Sequence, residues 1–234
     1  MTTEQLQMQL VYIREKIQQA LEQAGRKGET VQLCAASKTQ TAQTVEQAAK
    51  LDIGLFGENR VQELVEKYAV GAYGSHPVHM IGHLQTNKVR QVVGKAAIIQ
   101  SVDSTRLLET IAQEASKQNL VQKILLEINI GGEQSKSGIA PEQLPFLLEQ
   151  AESCNHVQVL GLMAIPPKCQ EEKQARQYFS QMYQLFCQAK DHYCTKSKME
   201  ILSMGMSGDF PLAILEGSTM VRVGTALFGQ RQYP

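Results

Sequence analysis

Short apolar runs alternate with segments of helical periodicity along nearly the whole 234-residue chain. About eight of these runs are candidate strands, at positions 32–37, 53–56, 78–82, 97–102, 123–130, 157–164, 200–204 and 220–223. The helical segments between them lie at 41–50, 59–69, 87–93, 104–118, 141–152, 171–193 and 209–216. Strands that alternate with helices indicate a parallel α/β sheet. About eight repeats favour a single closed (β/α)8 TIM barrel; the alternative, an open doubly wound sheet, would need fewer strands.

An extra helix is predicted before the first strand. Its apolar residues recur at steps of three or four and end before Gly25, a residue that stops helices; they are Leu6, Leu10, Ile13, Ile17 and Leu21. No linker rich in Pro, Gly or Ser divides the chain, and the composition does not shift along it. Residues 1–234 are therefore predicted to form one domain.

The composition limits the classes of partner. Lys and Arg number 23, as do Asp and Glu, so the charge gives no general reason to expect nucleic acid or an acidic membrane surface. The first 25 residues carry charges and have no long apolar run, which argues against a signal peptide or a membrane span. The five cysteines are scattered without a CxxC pair. We expect a cytoplasmic protein without disulfides or a zinc site.

Lys38 stands where the first predicted strand ends, in "VQLCAASKTQT" at 31–41. Alone it would be read as a solvated lysine at a strand end. In a barrel, however, chemistry belongs at the carboxyl ends of the strands. Burial in an apolar barrel mouth favours the neutral amine, which is a nucleophile towards carbonyl groups.

Two consecutive glycine-containing turns follow predicted strands seven and eight. The first, in "LSMGMSGDF", carries Ser207, and the second, in "VRVGTALFG", carries Gly224 and Thr225. Barrels most often bind phosphate at this place, through backbone N–H groups, hydroxyls and a helix N-terminus. Glycines also simply end strands, so either turn alone would be weak evidence.

Arg222 lies inside the last predicted strand. Because strand residues alternate, it shares one face with Gly224. If that face points inwards, the guanidinium is buried and a ligand heteroatom can be its partner; if outwards, it packs against a helix. A lysine for an aldehyde, two turns for a phosphate and an inward arginine for a pyridine nitrogen together suggest pyridoxal 5′-phosphate (PLP).

Further polar residues follow other predicted strands, each with solvation of a loop as the simpler explanation. Glu58, Asn59 and Arg60 follow strand two, and His83 follows strand three. His76, His79 and His83 are not fixed on one face by their spacing, so no metal site is predicted. Met204 lies near the end of strand seven, where methionine usually fills the barrel.

Seven motifs in this order resemble the YggS-type PLP-binding proteins, also called PLP homeostasis proteins. They are "AASKTQT", "FGENRVQE", "HMIGHLQTNK", "SVDS", "NIGGEQSKSG", "GLMAIP" and "LSMGMSGDF…GSTMVRVGTALFG", and they span about residues 31–229. The resemblance extends more distantly to the barrel domain of alanine racemases and of bacterial-type ornithine decarboxylases.

The resemblance implies a role for each candidate residue. Lys38 would form the aldimine, and Arg222 would face the pyridine nitrogen. The phosphate would be bound by Ser207, Gly224 and Thr225 with backbone amides of their turns, and the cofactor would also be lined by Asn59, with Met204 and His83 nearby. Arg60 replaces a commonly seen tyrosine at a position expected at the rim.

Three functions remain open from the sequence. The first, which the resemblance favours, is a non-catalytic protein of PLP homeostasis and of amino and keto acid balance, with PLP-dependent apoenzymes as possible recipients. The second is a PLP enzyme with weak racemase or decarboxylase activity; the third is an aldolase that uses Lys38 without a cofactor. Strand eight is expected to end near Phe228, leaving six residues, with Tyr233 among them. That leaves no room for the second domain that supplies a racemase with its other base, and it favours a monomer.

Overall fold

The computed structural model describes residues 2–133, 135–192 and 196–230. In this part of the chain eight parallel strands form a closed barrel in sequence order, which confirms the predicted fold. The strands are β1 (Gln32–Ala36), β2 (Leu55–Glu58), β3 (Val78–Met80), β4 (Ile98–Val102), β5 (Gln122–Ile128), β6 (Val157–Ala164), β7 (Ile201–Met206) and β8 (Met220–Val223). The barrel closes where β8 pairs with β1, with Arg222 beside Cys34 in the register.

Helices surround the barrel; one precedes the first strand, one follows the last, and the others lie between strands. They are α1 (Thr3–Gln23), α2 (Ala42–Ala48), α3 (Val61–Ala69), α4 (Val89–Val92), α5 (Thr105–Lys117), α6 (Leu144–Ser153), α7 (Glu172–His192), α8 (Phe210–Leu215) and α9 (Thr225–Phe228). The side chains of Thr41 and Ser104 cap α2 and α5 by accepting backbone N–H groups of the first turn. None of the helices in the described residues combines the length and low charge needed to cross a bilayer.

The extra N-terminal helix is present. The side chain of Thr2 and that of Gln5 form a reciprocal capping box at its start. Its buried face contains Leu6, Leu10 and Ile13 and packs against α8 and α9, the helices that flank the last strand. Burial of this apolar stripe stabilises the barrel next to the two glycine-containing turns.

Apolar side chains fill two layers, one between the strands and helices and one inside the barrel. The inner layer consists of two small clusters. One contains Cys34, Ala36, Leu55, Ile81 and Met220, and the other contains Ile98, Leu125, Leu160 and Met163. Because strand residues alternate between these layers, polar side chains in the inner register face one another across the barrel.

Some predicted boundaries were wrong. Strand β2 begins at Leu55 and includes Glu58, which is fully buried and not a solvated loop residue. Strand β8 has the predicted bounds, Met220–Val223, but the further expectation that it ends near Phe228 was wrong, because the chain turns into α9 at Thr225. The four described cysteines, Cys34, Cys154, Cys169 and Cys187, are free. Tyr193, Cys194 and Tyr233 lie outside the described residues.

Candidate functional site

Three adjacent strands bring most of the predicted site residues to one side of the barrel mouth. Lys38 follows β1, Ser207 follows β7, and Gly224 follows β8. Since β7 pairs with β8 and β8 pairs with β1, the carboxyl ends of these strands meet at the same rim. A methyl group added to Gly224 would lie 3.2 Å from the carbonyl oxygen of Ala36, so the last turn runs very close to the end of β1.

Ser207 ties the two glycine-containing turns together. Its Oγ accepts the backbone N–H of Gly224 at 3.1 Å and that of Ala226 at 3.2 Å. Thr225, between them, is exposed. Ser207 Oγ therefore takes up both N–H groups and keeps its own hydrogen as a donor, and this hydrogen and the exposed hydroxyl of Thr225 suit an oxyanion. Gly205 makes the first turn possible, because it has φ +91° and an added Cβ would lie 2.6 Å from Ala213 Cβ.

Arg222 points into the barrel, which settles the two alternatives left open by the sequence. One guanidinium nitrogen donates to the carbonyl oxygen of Ser203 at 2.8 Å and to its hydroxyl at 2.7 Å, and the other donates to the carbonyl oxygen of Ala164 at 2.9 Å. Burial lowers the pKa of Arg222, and the nearby Cys34 and Glu127 oppose that effect. Arginine nevertheless remains a cation in proteins, so a fixed positive charge lies beneath the mouth.

A chain of buried hydrogen bonds runs from Arg222 across the barrel interior. Ser203 Oγ donates to Gln100 Oε1 at 2.7 Å, and Gln100 Nε2 lies 2.8 Å from His79 Nδ1. Burial lowers the pKa of His79 to about 3, so the ring is neutral and its Nδ1 can accept this bond. The chain fixes the orientation of Ser203 and, through it, of the arginine.

Lys38 lies half-buried in the turn after β1, between residues that are held in place. Ser37 is fully buried, and its hydroxyl donates to Glu58 Oε1 at 2.6 Å. On the other side of the lysine, Thr39 has φ +66°, an uncommon conformation for a β-branched residue. Its backbone N–H donates to Glu63 Oε2 at 2.7 Å.

The remaining predicted residues lie in different environments. Asn59 is half-buried after β2, and its Oδ1 is buried without a hydrogen-bond partner in the described residues. His83 is exposed, with Nδ1 3.6 Å from Asp103 Oδ2 and 3.5 Å from Ser137 Oγ. Both distances are long for hydrogen bonds. Met204 is fully buried and packs in the layer between strands and helices, on the face of β7 opposite to Ser203.

Glu127 on β5 is a buried carboxylate that the sequence reading did not single out. It is 5% exposed, and its Oε2 has no hydrogen-bond partner among the described residues. Burial raises its pKa to about 7; Asp103 adds to the rise, and the positive charge of Arg222 opposes it. A carboxyl group that titrates near neutral pH therefore lies on the inner face of the barrel with Arg222.

Sequence comparisons assign the chain to a family. A family model described as the N-terminal domain of alanine racemase matches residues 9–232. A pyridoxal phosphate homeostasis protein of Aquifex aeolicus is 42% identical over 221 residues, which are 94% of this chain and 96% of that protein. The protein of the same name from Escherichia coli K12 is 36% identical over 228 residues, 96% of each chain.

This chain belongs to the pyridoxal phosphate homeostasis protein family. Solved structures agree with the assignment. PipY of Synechococcus elongatus PCC7942 with PLP bound has a TM-score of 0.79 and 33% identity, over 91% of this chain and all of that one. A protein of unknown function from Bifidobacterium adolescentis has a TM-score of 0.89 and 33% identity, over 97% of this chain and 95% of that one.

Alanine racemase shares the fold of this homeostasis family member. The enzyme from Clostridium difficile 630 has a TM-score of 0.73 at 16% identity. The match covers 99% of this chain and 57% of the racemase chain. The common part is thus the barrel.

Several residues of this homeostasis family member that contact the site went unnoticed in the sequence. Gln100 and Ser203 are polar residues inside strands, and that pattern alone could have marked them. Glu58 was placed in a loop because the boundary of β2 was two residues off. Lys67 lies in the predicted helical segment 59–69, where nothing distinguishes it from a solvated lysine, yet it is only 5% exposed.

Proposed function

We propose that this protein binds PLP as a Schiff base with Lys38 at the carboxyl end of the barrel. The observation that carries the proposal is the convergence of Lys38, the Ser207–Gly224 turns and inward Arg222 on three adjacent strands. Condensation joins Lys38 Nζ to the aldehyde carbon, and the aldehyde oxygen leaves as water. The relatives named for PLP homeostasis and the PLP-bound PipY structure support this cofactor.

The polar groups of the site also suit the phosphate group and the pyridine nitrogen of PLP. Ser207 and Thr225 with the backbone N–H groups of their turns would hold the phosphate. Arg222 would donate to the pyridine nitrogen, and a cationic donor keeps that nitrogen unprotonated. Asn59 Oδ1, buried without a partner among the described residues, is free to accept a bond from the cofactor. His83, exposed at the end of β3, would lie at the outer edge.

We further propose that the protein keeps and transfers PLP without catalysing an amino acid reaction, with apoenzymes as recipients. The names of the relatives support this role. Racemisation needs two bases, one on each face of the cofactor. The likeness to alanine racemase is one of fold and covers 57% of the racemase chain.

The first experiment is the visible absorption spectrum of the purified protein before and after borohydride, with mass mapping of the modified peptide. We expect a violet-absorbing species and, after reduction, PLP attached to Lys38. Lys38→Ala should lose both, whereas Lys88→Ala, which changes an exposed lysine, should retain them. A reduced adduct that persists in Lys38→Ala would refute the assignment. A colourless protein that PLP cannot recolour would favour the cofactor-free aldolase.

A second experiment separates the carrier from the enzyme. The PLP-loaded protein is incubated with single amino acids, and enantiomer ratios and amine products are measured by chromatography. We expect no turnover, and we expect an added PLP-dependent apoenzyme to regain activity. Turnover that Lys38→Ala abolishes would instead establish the weak racemase or decarboxylase. Analytical ultracentrifugation tests the monomeric state that is expected from the sequence.

A further inference from the structure

We propose that buried Glu58 and Lys67 and half-buried Glu63 form a clamp that positions Lys38 for the reaction with PLP. None of the three touches the cofactor in this proposal; they act by fixing the residues on either side of the lysine, Ser37 and Thr39. The inference rests on the proposed function, because it assigns a role in Schiff-base formation to side chains outside the binding site.

One arm of the clamp holds Ser37. Glu58 is fully buried, and its Oε1 accepts the hydroxyl of Ser37 at 2.6 Å. Lys67 Nζ donates to the same carboxylate oxygen at 2.8 Å and to the carbonyl oxygen of Ser37 at 2.9 Å. The side chain and the backbone of Ser37 are therefore both bound by the ion pair, directly before Lys38.

The other arm holds Thr39. Glu63 Oε2 accepts the backbone N–H of Thr39 at 2.7 Å and lies 3.5 Å from Lys67 Nζ. Thr39 needs such support because its φ is +66°, and β-branched residues avoid this region. A charge-assisted hydrogen bond to a carboxylate is among the stronger ones that a backbone N–H can make. Lys67 connects the two arms.

A structural role alone explains this arrangement poorly. Buried ion pairs lose much of their attraction to desolvation, and apolar residues of similar volume often serve stability equally well. Burial raises the pKa of Glu58 in spite of the adjacent Lys67, which reflects this cost. Tyr73 OH adds a third donor to Glu58 Oε1 at 3.2 Å. The bonds to Ser37 and Thr39 meet at the turn that carries Lys38, and hydrogen bonds of this kind hold a functional residue in its productive geometry.

The expected benefit is preorganisation. A lysine side chain has many rotamers, and fixing both neighbouring residues limits the positions that Nζ can reach. Less conformational freedom then remains to be lost when the Schiff base forms. Loss of one arm should therefore weaken PLP binding and loosen the bound PLP, with little change in overall secondary structure.

The test compares two carboxylates of helix α3. Glu63→Ala removes the acceptor for Thr39, whereas Glu66→Ala removes an exposed carboxylate three residues further along. The dissociation constant for PLP and the visible circular dichroism per bound PLP are measured for both. For Glu63→Ala only, we expect PLP binding about tenfold weaker and a smaller dichroism signal. A tenfold change in the dissociation constant corresponds to the loss of one hydrogen bond to a charged group. Glu63→Gln, which retains an acceptor oxygen, should recover most of the loss.

The outcomes separate this proposal from the one on which it rests. If the wild-type protein forms no adduct on Lys38, the proposed function fails. If it forms the adduct and Glu63→Ala matches Glu66→Ala in both measurements, the clamp is refuted, even if Glu63→Ala melts at a lower temperature. Lys67→Met should show a larger loss of binding than Glu63→Ala; if that variant does not fold, the Glu63 series decides alone.

Discussion

Glu127→Gln should change how the stability of this protein depends on pH. Glu127 is 5% exposed, with one carboxylate oxygen unpaired in the described residues. Burial, and secondarily Asp103, raises its pKa from 4.5 to about 7 against the opposing charge of Arg222. A glutamine has nearly the same shape and cannot ionise, so the variant isolates the cost of the buried charge.

The sign and size of the effect follow from linkage. Between pH 4.5 and about 7 the folded state binds more protons at Glu127 than the unfolded state does. The contribution of Glu127 to the free energy of unfolding is therefore largest below pH 4.5. It falls as the pH rises to about 7 and stays low above that pH. Each pKa unit corresponds to about 1.4 kcal/mol, so the wild-type protein loses roughly 3 kcal/mol across this window.

Urea unfolding of the unliganded protein between pH 4.5 and 9 measures this difference. Glu127→Gln should lack the loss, so the two free energies of unfolding should diverge by roughly 3 kcal/mol between pH 5 and pH 8. Other titrating groups cancel in the comparison because both proteins contain them. Parallel curves for the two proteins would show that Glu127 titrates near its ordinary pKa, and would refute the reasoning.

Two further predictions concern the barrel interior and its closure. Ser203→Ala removes a hydrogen bond to Arg222 and should cost about 2–3 kcal/mol in urea unfolding; Ser101→Ala, where the buried hydroxyl has no partner among the described residues, should cost less than 1 kcal/mol. Gly161→Ala should prevent folding, because Gly161 has φ +150° and an added Cβ would lie 1.8 Å from a carbonyl oxygen of β7. Gly208→Ala, with no atom within 4 Å, should fold normally, and circular dichroism of the soluble fraction compares the two. A well-folded Gly161→Ala protein would contradict the packing argument.

The alternation of apolar runs and helical segments was sufficient to predict the barrel. Parallel strands must be buried on both faces, so each leaves an apolar run that is visible in the sequence. The places of Lys38, Ser207 and Gly224 at strand ends followed from the same alternation. Boundaries were less reliable: a displacement of two residues at β2 turned buried Glu58 into a predicted loop residue.

The contacts that hold the site together could not be found in this way. Lys67 lies on α3 with nothing in its local sequence to mark it as buried, and its partner Glu58 is on another element. Gln100 and Ser203 are 103 positions apart and meet only because the barrel closes. The direction of Arg222 was likewise open until closure placed it beside Cys34.

The sequence by itself determined the class of fold, the extra N-terminal helix and the strand ends at which polar residues gather, because periodicity and strand-end position are local properties of a chain. Only the tertiary structure decided which side chains point inwards, which of them share hydrogen bonds, and which turns lie against each other. Those relations depend on the register between strands and on burial. Both arise from contacts between residues far apart in the chain, so no local pattern encodes them.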